Sequence, residues 1–347
     1  MAQKIFKLIF LPQRKPAGFT LMELLVVVAI GWIIISALMY FVVQLTQTDR
    51  REFALSQTQQ EMSQALDYMS SELKEAAYVY EGECLGSNPG RAVNTPTYCP
   101  GLANVLPFAA NRVTPILAFW KVEPVPYVED SGTTPAADKM PDATQCSALA
   151  AKQSECTSLL ISRSTYTLIV YGLTTDNTQG TWDGPARITR YELRQYANLS
   201  TLETTPGYRK PTETGSSFSA WPRNKDGTSP AGYTNPRDFN NSNNPVLVDL
   251  VDFRAESGNQ WKNCPANYSL TPPDSLNTSN NSSFYACVKT PTDINGNSQL
   301  QDVVVNLRGN AVKRAGATLY NNASFLPKVQ TQVQIRSVFN LTPPPLQ

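Results

Sequence analysis

The sequence predicts an α+β chain: one long N-terminal helix, then a body built on an antiparallel β-sheet. Two observations carry that expectation. Leu24 to Val43 is a run of 20 residues broken only by the small Gly31 and Ser36, and no Pro or Gly follows until Gly82. Beyond Gly82 the composition shifts to Pro, Asn, Ser, Thr and Gly, with short strand-like runs between turn signals.

The helix comes first. Twenty apolar residues at 1.5 Å per residue span the hydrocarbon core of a bilayer. Residues 1–18 hold Lys4, Lys7, Arg14 and Lys15 and no acid, whereas Asp49, Arg50, Arg51 and Glu52 cancel on the far side. The bias of basic residues places the N-terminus in the cytoplasm and the rest outside. A cleavable secretory signal would have a shorter apolar region ending in a small-x-small site. Here Ala17 and Gly18 precede the run, so a cut at Gly18 would remove only the basic leader. Past residue 45, Phe53, Leu55, Met62, Leu66, Met69 and Leu73 recur at mostly helical spacing among polar residues. This predicts an amphipathic continuation over 46–80, and one helix from Phe19 to about Val79.

The body follows. Strands are expected at Ile116–Trp120, Leu159–Leu173, Arg187–Tyr196, Val246–Arg254, Val303–Leu307 and Val329–Phe339. Thr174 to Ala186 reads as the loop of a long hairpin. The exported β-rich domain spans 81–340 and contains a polar loop, 204–245. The Pro-rich tail 341–347 cannot continue a strand.

Charge and composition remove several functions. The 347 residues carry 29 Lys and Arg against 28 Asp and Glu. Without the four basic residues of the leader, 25 face 28, a balance of −3. Such a body lacks the clustered cations that nucleic acid requires. There is no histidine, which removes Ser-His and Cys-His catalysis and the commonest metal ligand. With no G-x-S-x-G and no metal-ligand cluster, the residues point away from an enzyme, a cofactor or a metal. All six cysteines lie after residue 80, as disulfides of an exported domain would. Short loops close at the least entropic cost, which favours Cys84 with Cys99, Cys146 with Cys156, and Cys264 with Cys287. Two Asn- and Asp-rich stretches, Asp293 to Asp302 and Asn224 to Ser229, do not fit a calcium loop and read as turns.

Glu23 is the residue that composition does not explain. Thr20-Leu21-Met22-Glu23 fits a capping box, and a first-turn carboxylate suits the helix dipole. Capping explains neither Gly18 nor the basic leader. A cut after Gly18 would create an α-amine on Phe19, cationic near neutral pH. In a low-dielectric setting that amine and a carboxylate seek each other. A neighbouring subunit shifted along a shared axis could supply the amine, making Glu23 a registration device.

The stretch GFTLMELLVVVAI, Gly18 to Ile30, resembles the class III signal of type IV pilins and type II secretion pseudopilins. The resemblance implies cleavage between Gly18 and Phe19 by a prepilin peptidase, N-methylation of Phe19, and an assembly role for Glu23. It also implies a pilin-like fold, an inner-membrane assembly platform and other pilins as partners, and a helix anchored in the inner membrane before filament assembly. One departure is Tyr40, which stands where many major pilins have a helix-kinking Pro. The order of helix and strands resembles larger minor pilins of the PilW kind and J-pseudopilins of type II secretion. Gln64 to Leu85 is similar to pseudopilins of filamentous cyanobacteria associated with hormogonium polysaccharide secretion. The implied role is a structural subunit supporting polysaccharide secretion and gliding. The alternatives are a minor pilin priming pilus assembly and a protein-secretion pseudopilin. A different class, a membrane-tethered glycan-binding adhesin, would use the aromatic and basic residues of loop 204–245, with Trp221 and Tyr233 as sugar contacts.

Overall fold

Helix α1 runs from Leu21 to Lys74, 54 residues, or about 81 Å at the α-helical rise. The computed structural model describes residues 18, 20–86, 90–106, 113–125, 139–178, 180–236, 244–254, 263–273, 276, 283–290, 300–316 and 323–335. The chain divides into two compact units, residues 1–52 and 53–347. In the first, every large apolar side chain of α1 from Leu21 to Leu45 is 48–85% exposed.

In the second unit α1 becomes amphipathic. Ala54, Thr58, Met62, Ala65, Leu66, Met69 and Leu73 are buried, on one stripe. The helix stops at Lys74, not at Val79. Ala76, Ala77, Tyr78 and Val79 instead form strand β1 (Ala76–Val79), because β2 (Val113–Pro124) offers Lys121, Trp120 and Phe119 as antiparallel partners. Pairing to a neighbouring strand overrides the helical propensity of a short Ala-rich segment.

Further along lie α2 (Gly82–Leu85), α3 (Ala143–Ala148), α4 (Gln153–Ser162), β3 (Ser164–Thr174), β4 (Ala186–Leu193), β5 (Tyr196–Asn198), β6 (Glu203–Thr204), β7 (Val246–Val251), β8 (Tyr268–Thr271), β9 (Phe284–Lys289), β10 (Asp302–Arg308) and β11 (Lys328–Gln334). They build a five-stranded sheet, β1-β2-β3-β4-β7, and a four-stranded sheet, β11-β10-β9-β8. Every pairing in both is antiparallel. The expected hairpin is present, with β3 and β4 in register from Leu168↔Leu193 to Thr174↔Arg187.

The strand expected over Arg187–Tyr196 ends at Leu193, and Tyr196 begins the separate β5; three further strand expectations need correction. Leu159 to Ser162 belongs to α4, not to a strand; the helix ends at Arg163, which adopts a left-handed conformation (φ 47°). The apolar run Leu159-Leu160-Ile161 suggests strand, whereas Cys156, three residues before Leu159 on the same helix, is bonded to Cys146 of α3. The strand expected through Arg254 ends at Val251, since Asp252 turns its carboxylate into an ion pair with Arg308. The Val329–Phe339 strand is observed as Lys328–Gln334; residues 336–339 lie outside the described set, as does the tail.

The five-stranded sheet is covered on both faces. Ile169, Tyr171 and Leu173 of β3 join Met62, Leu66, Met69 and Leu73 of α1, together with Phe284, Val303 and Val305 of the second sheet. Leu168 and Val170, on the alternate face, join Tyr78, Tyr80, Trp120, Tyr208 and Trp221. A sheet buried on both faces explains the nearly unbroken apolar sequence TLIVYGL.

Several long-range contacts close the body. The Gln301 amide lies beside β1: its Oε1 accepts from the Val79 N–H (2.9 Å) and its Nε2 donates to the Val79 carbonyl (2.8 Å). Arg308 Nε (2.9 Å), Asn310 Nδ2 (3.1 Å) and Arg254 Nε (3.1 Å) all donate to the fully buried Asp252 carboxylate. The disulfides join Cys84 to Cys99, Cys146 to Cys156, and Cys264 to Cys287.

Candidate functional site

The start of α1 is where sequence and structure place the chemistry. Thr20 lies just ahead of Leu21, and its Oγ1 accepts from the Glu23 N–H (3.3 Å) while its carbonyl accepts from the same N–H (3.0 Å). This is one half of a capping box. The reciprocal bond, from the Thr20 N–H to the Glu23 carboxylate, is not formed among the described residues. Thr20 alone therefore caps the helix, and the Glu23 carboxylate is exposed with no partner among the described residues. Gly18 is exposed with open space around its Cα; Phe19 lies outside the described residues.

Beyond Glu23 the helix is apolar on every side. Its few polar side chains are turned inward on the helix itself. Ser36 Oγ donates to the Trp32 carbonyl (2.7 Å), Thr46 Oγ1 to that of Val42 (2.8 Å), and Gln44 Nε2 to Tyr40 Oη (2.7 Å). Such back-bonding leaves less polar surface to desolvate. The helix is long and apolar enough to cross a membrane, with a mean hydropathy of 2.7 over its most apolar window. An all-round apolar helix is stable in lipid or among other helices, not in water.

Lower on α1 a charged cluster fastens the helix to the sheet. Glu72 is buried, and Arg190 of β4 grips it with both arms: Nε to Oε2 at 3.0 Å and Nη2 to Oε1 at 2.9 Å. Tyr171 of β3 also donates to Glu72, and Lys121 of β2 approaches at 3.3 Å. Burial pushes the Glu72 carboxyl up, but the hydrogen bonds from Arg190 and Tyr171, with the charges of Arg190 and Lys121, outweigh it and hold it below the ordinary range. Burial raises the Tyr171 phenol, and the neighbouring carboxylate raises it further. Arg314 adds a second tie, donating to Thr58 (3.1 Å) and to both Glu61 oxygens (2.9 and 3.0 Å).

Loop 204–245 departs from the sugar-binding expectation. Trp221 is fully buried, and its indole N–H donates to the Arg209 carbonyl (2.8 Å). Its ring packs edge-on against Trp120, 5.3 Å between centroids. It is a core residue and cannot offer a face to a sugar. Arg209 is likewise committed, to Glu213 (2.9 Å), the Pro222 carbonyl (2.8 Å) and Asn224 (2.8 Å). Over 205–236 the loop is thus the lid of the second core. Tyr233 remains partly exposed, its hydroxyl donating to the Gly207 carbonyl (3.0 Å). Asn224 to Ser229 is a turn closed by Asp226 on Thr228; residues 293–299 of the other Asn-rich stretch lie outside the described residues. Among the described residues no cluster of His, Cys, Asp and Glu could hold a metal.

The family model for the prokaryotic N-terminal methylation motif matches residues 13–39. The chain carries a type IV pilin-like signal. That signal is the substrate mark of prepilin peptidase, and proteins bearing it assemble with other pilins. With the apolar α1 and the antiparallel sheets behind it, the architecture is α+β and pilin-like. The pilin-like signal fits a membrane-anchored protein that enters a pilus, and points to a structural protein. No curated protein matches the chain. No solved structure matches it either.

Proposed function

We propose that the chain is a minor pilin or pseudopilin, a structural subunit of a type IV pilus-like filament. The observation that carries this reading is the bare apolar helix Leu21–Leu45 headed by a carboxylate with no partner among the described residues. Prepilin peptidase cuts between Gly18 and Phe19 and methylates Phe19. The basic leader stays in the cytoplasm and the body lies outside. An assembly platform in the inner membrane then extracts the helix into a filament. Burying the apolar helix against other helices supplies the driving force, and Glu23 neutralises the amine of a neighbour's Phe19. A body of nearly 300 residues would crowd a uniform shaft, which favours a tip or initiating position.

The filament serves polysaccharide secretion with gliding motility in this reading. Gene deletion tests it, with extracellular polysaccharide and surface pili measured on the same cells. Lost polysaccharide with intact pili supports it. Unchanged polysaccharide with lost pili replaces it by pilus priming, and unchanged polysaccharide with intact pili replaces it by protein secretion.

A further inference from the structure

Besides the helix, the body holds a cleft of about 650 Å³, lined by residues 103–106 and 233–236. Its volume is within the range of small-molecule sites. We propose that this cleft is a subsite for an uncharged sugar residue, with Tyr233 as its platform.

The walls are fixed. Leu102 and Leu106 are buried in the second core, and Cys99, just ahead of them, is bonded to Cys84. Opposite, Tyr233 is tied through its hydroxyl to the Gly207 carbonyl. Gly207 has φ 78°, and a Cβ there would stand 2.4 Å from Pro236 N, so the backbone at Asn235 and Pro236 lies directly against it. The two walls meet where Asn235 Nδ2 donates to the Asn104 carbonyl, at a long 3.4 Å. Pre-formed walls reduce the ordering cost of binding.

The lining chooses the ligand. None of the eight described residues that line it is charged, so among them a phosphate, sulfate or uronate would find no cation to replace its water. Ala103, Val105, Leu106 and Pro236 are apolar, while Thr234 and Asn235 are exposed at the rim. The Thr234 hydroxyl and Asn235 Oδ1 have no hydrogen bond among the described residues. An amide both donates and accepts, as a sugar hydroxyl does. A partly exposed aromatic ring beside such groups suits a pyranose, whose C–H face is apolar and whose edge is polar. The Tyr233 hydroxyl spends its one proton on the Gly207 carbonyl and has none left to donate to a ligand, so the ring supplies the platform.

The polysaccharide reading above supplies only the source of the sugar. The test uses the full-length processed protein in a sugar-free detergent, with saturation-transfer NMR and calorimetry against neutral hexose oligosaccharides and their uronate counterparts. The expected result is binding of the neutral set and none of the acidic set. Tyr233→Ala should weaken it about tenfold, the effect of losing one stacked ring. Tyr233→Phe should retain it, and Thr234→Arg, at an exposed rim position, should block it with an unchanged melting temperature. No binding of neutral sugars overturns the proposal. So does equal binding by the wild type and Thr234→Arg. Sugar binding is read on purified protein and filament assembly on cells, so failure of one leaves the other standing.

Discussion

The two halves of α1 are one continuous helix with opposite surfaces. From Leu21 to Leu45 apolar side chains cover the whole circumference and are exposed; from Ala54 to Leu73 they form one stripe and are buried. The contrast teaches that the halves are built for different surroundings. The lower half finds its apolar partner within its own chain, in Leu117, Phe119 and Ile169 of the sheet. The upper half has to find it in lipid or in other helices.

Six changes would break or sharpen that contrast. Glu23→Ala should have the largest effect and confine it to the upper half. A loss of about 1.4 kcal/mol at each subunit contact is tenfold in affinity, and a filament repeats it, so sheared filaments should fall to background on immunoblots. Cleavage and the melting temperature of the body should stay unchanged; normal filament yield would remove Glu23 from assembly. Met69→Ala should do the reverse, destabilising the body by about 2–5 kcal/mol. Leu38→Ala, the same kind of truncation in the exposed half, should leave denaturant unfolding of the body where it was.

Glu72 tests how the lower half is fastened. Removing one partner of a buried pair leaves the other uncompensated, so Glu72→Gln should cost about 3 kcal/mol at neutral pH. The sign of its pH dependence follows from its depressed pKa. The folded state binds the proton less readily than the unfolded chain. Its stabilisation is therefore present above the ordinary carboxylate range and is lost as pH falls through the lower, folded value. Wild type should lose its advantage over Glu72→Gln on acidification; a constant difference would place the stabilisation elsewhere. Gly309→Ala would set a Cβ 2.3 Å from Met62 Sδ, and overpacking of this kind costs about 1–3 kcal/mol. Thermal melting should show it. Thr20→Ala should be smallest, about 1 kcal/mol of local helix stability, the usual worth of a cap. Faster amide exchange confined to the first turn would be its signature.

Much of this was legible in the sequence, because the strongest signals are local. The apolar run, the position of Glu23 and the periodicity from Met62 to Leu73 depend only on neighbours along the chain. What depends on distant partners was not legible. Tyr78 and Val79 read as helix until β2 pairs with them. The segments of β8 and β9 are short and isolated among Asn, Ser and Thr; β9 gains its order from Val304 and Val305 of β10, and β8 from β9. Trp221 reads as a surface aromatic because its surroundings in sequence are polar; its ring in fact packs on Trp120, which lies in β2, outside the loop. The cleft beside Tyr233 needs residues 103–106, more than a hundred positions earlier.

The Gln301 amide that closes on Val79 has a consequence in time. The two residues are separated by 222 positions. A chain made from its N-terminus presents α1 and β1 long before Gln301 exists. Until then the edge of β1 lacks its cover, and the buried face of α1 lacks Val303 and Val305. Closing so long a loop is slow compared with forming local structure. The subunit therefore passes through a stage in which its anchor is finished and its body is still open, and the last quarter of the chain sets when it is ready to be used.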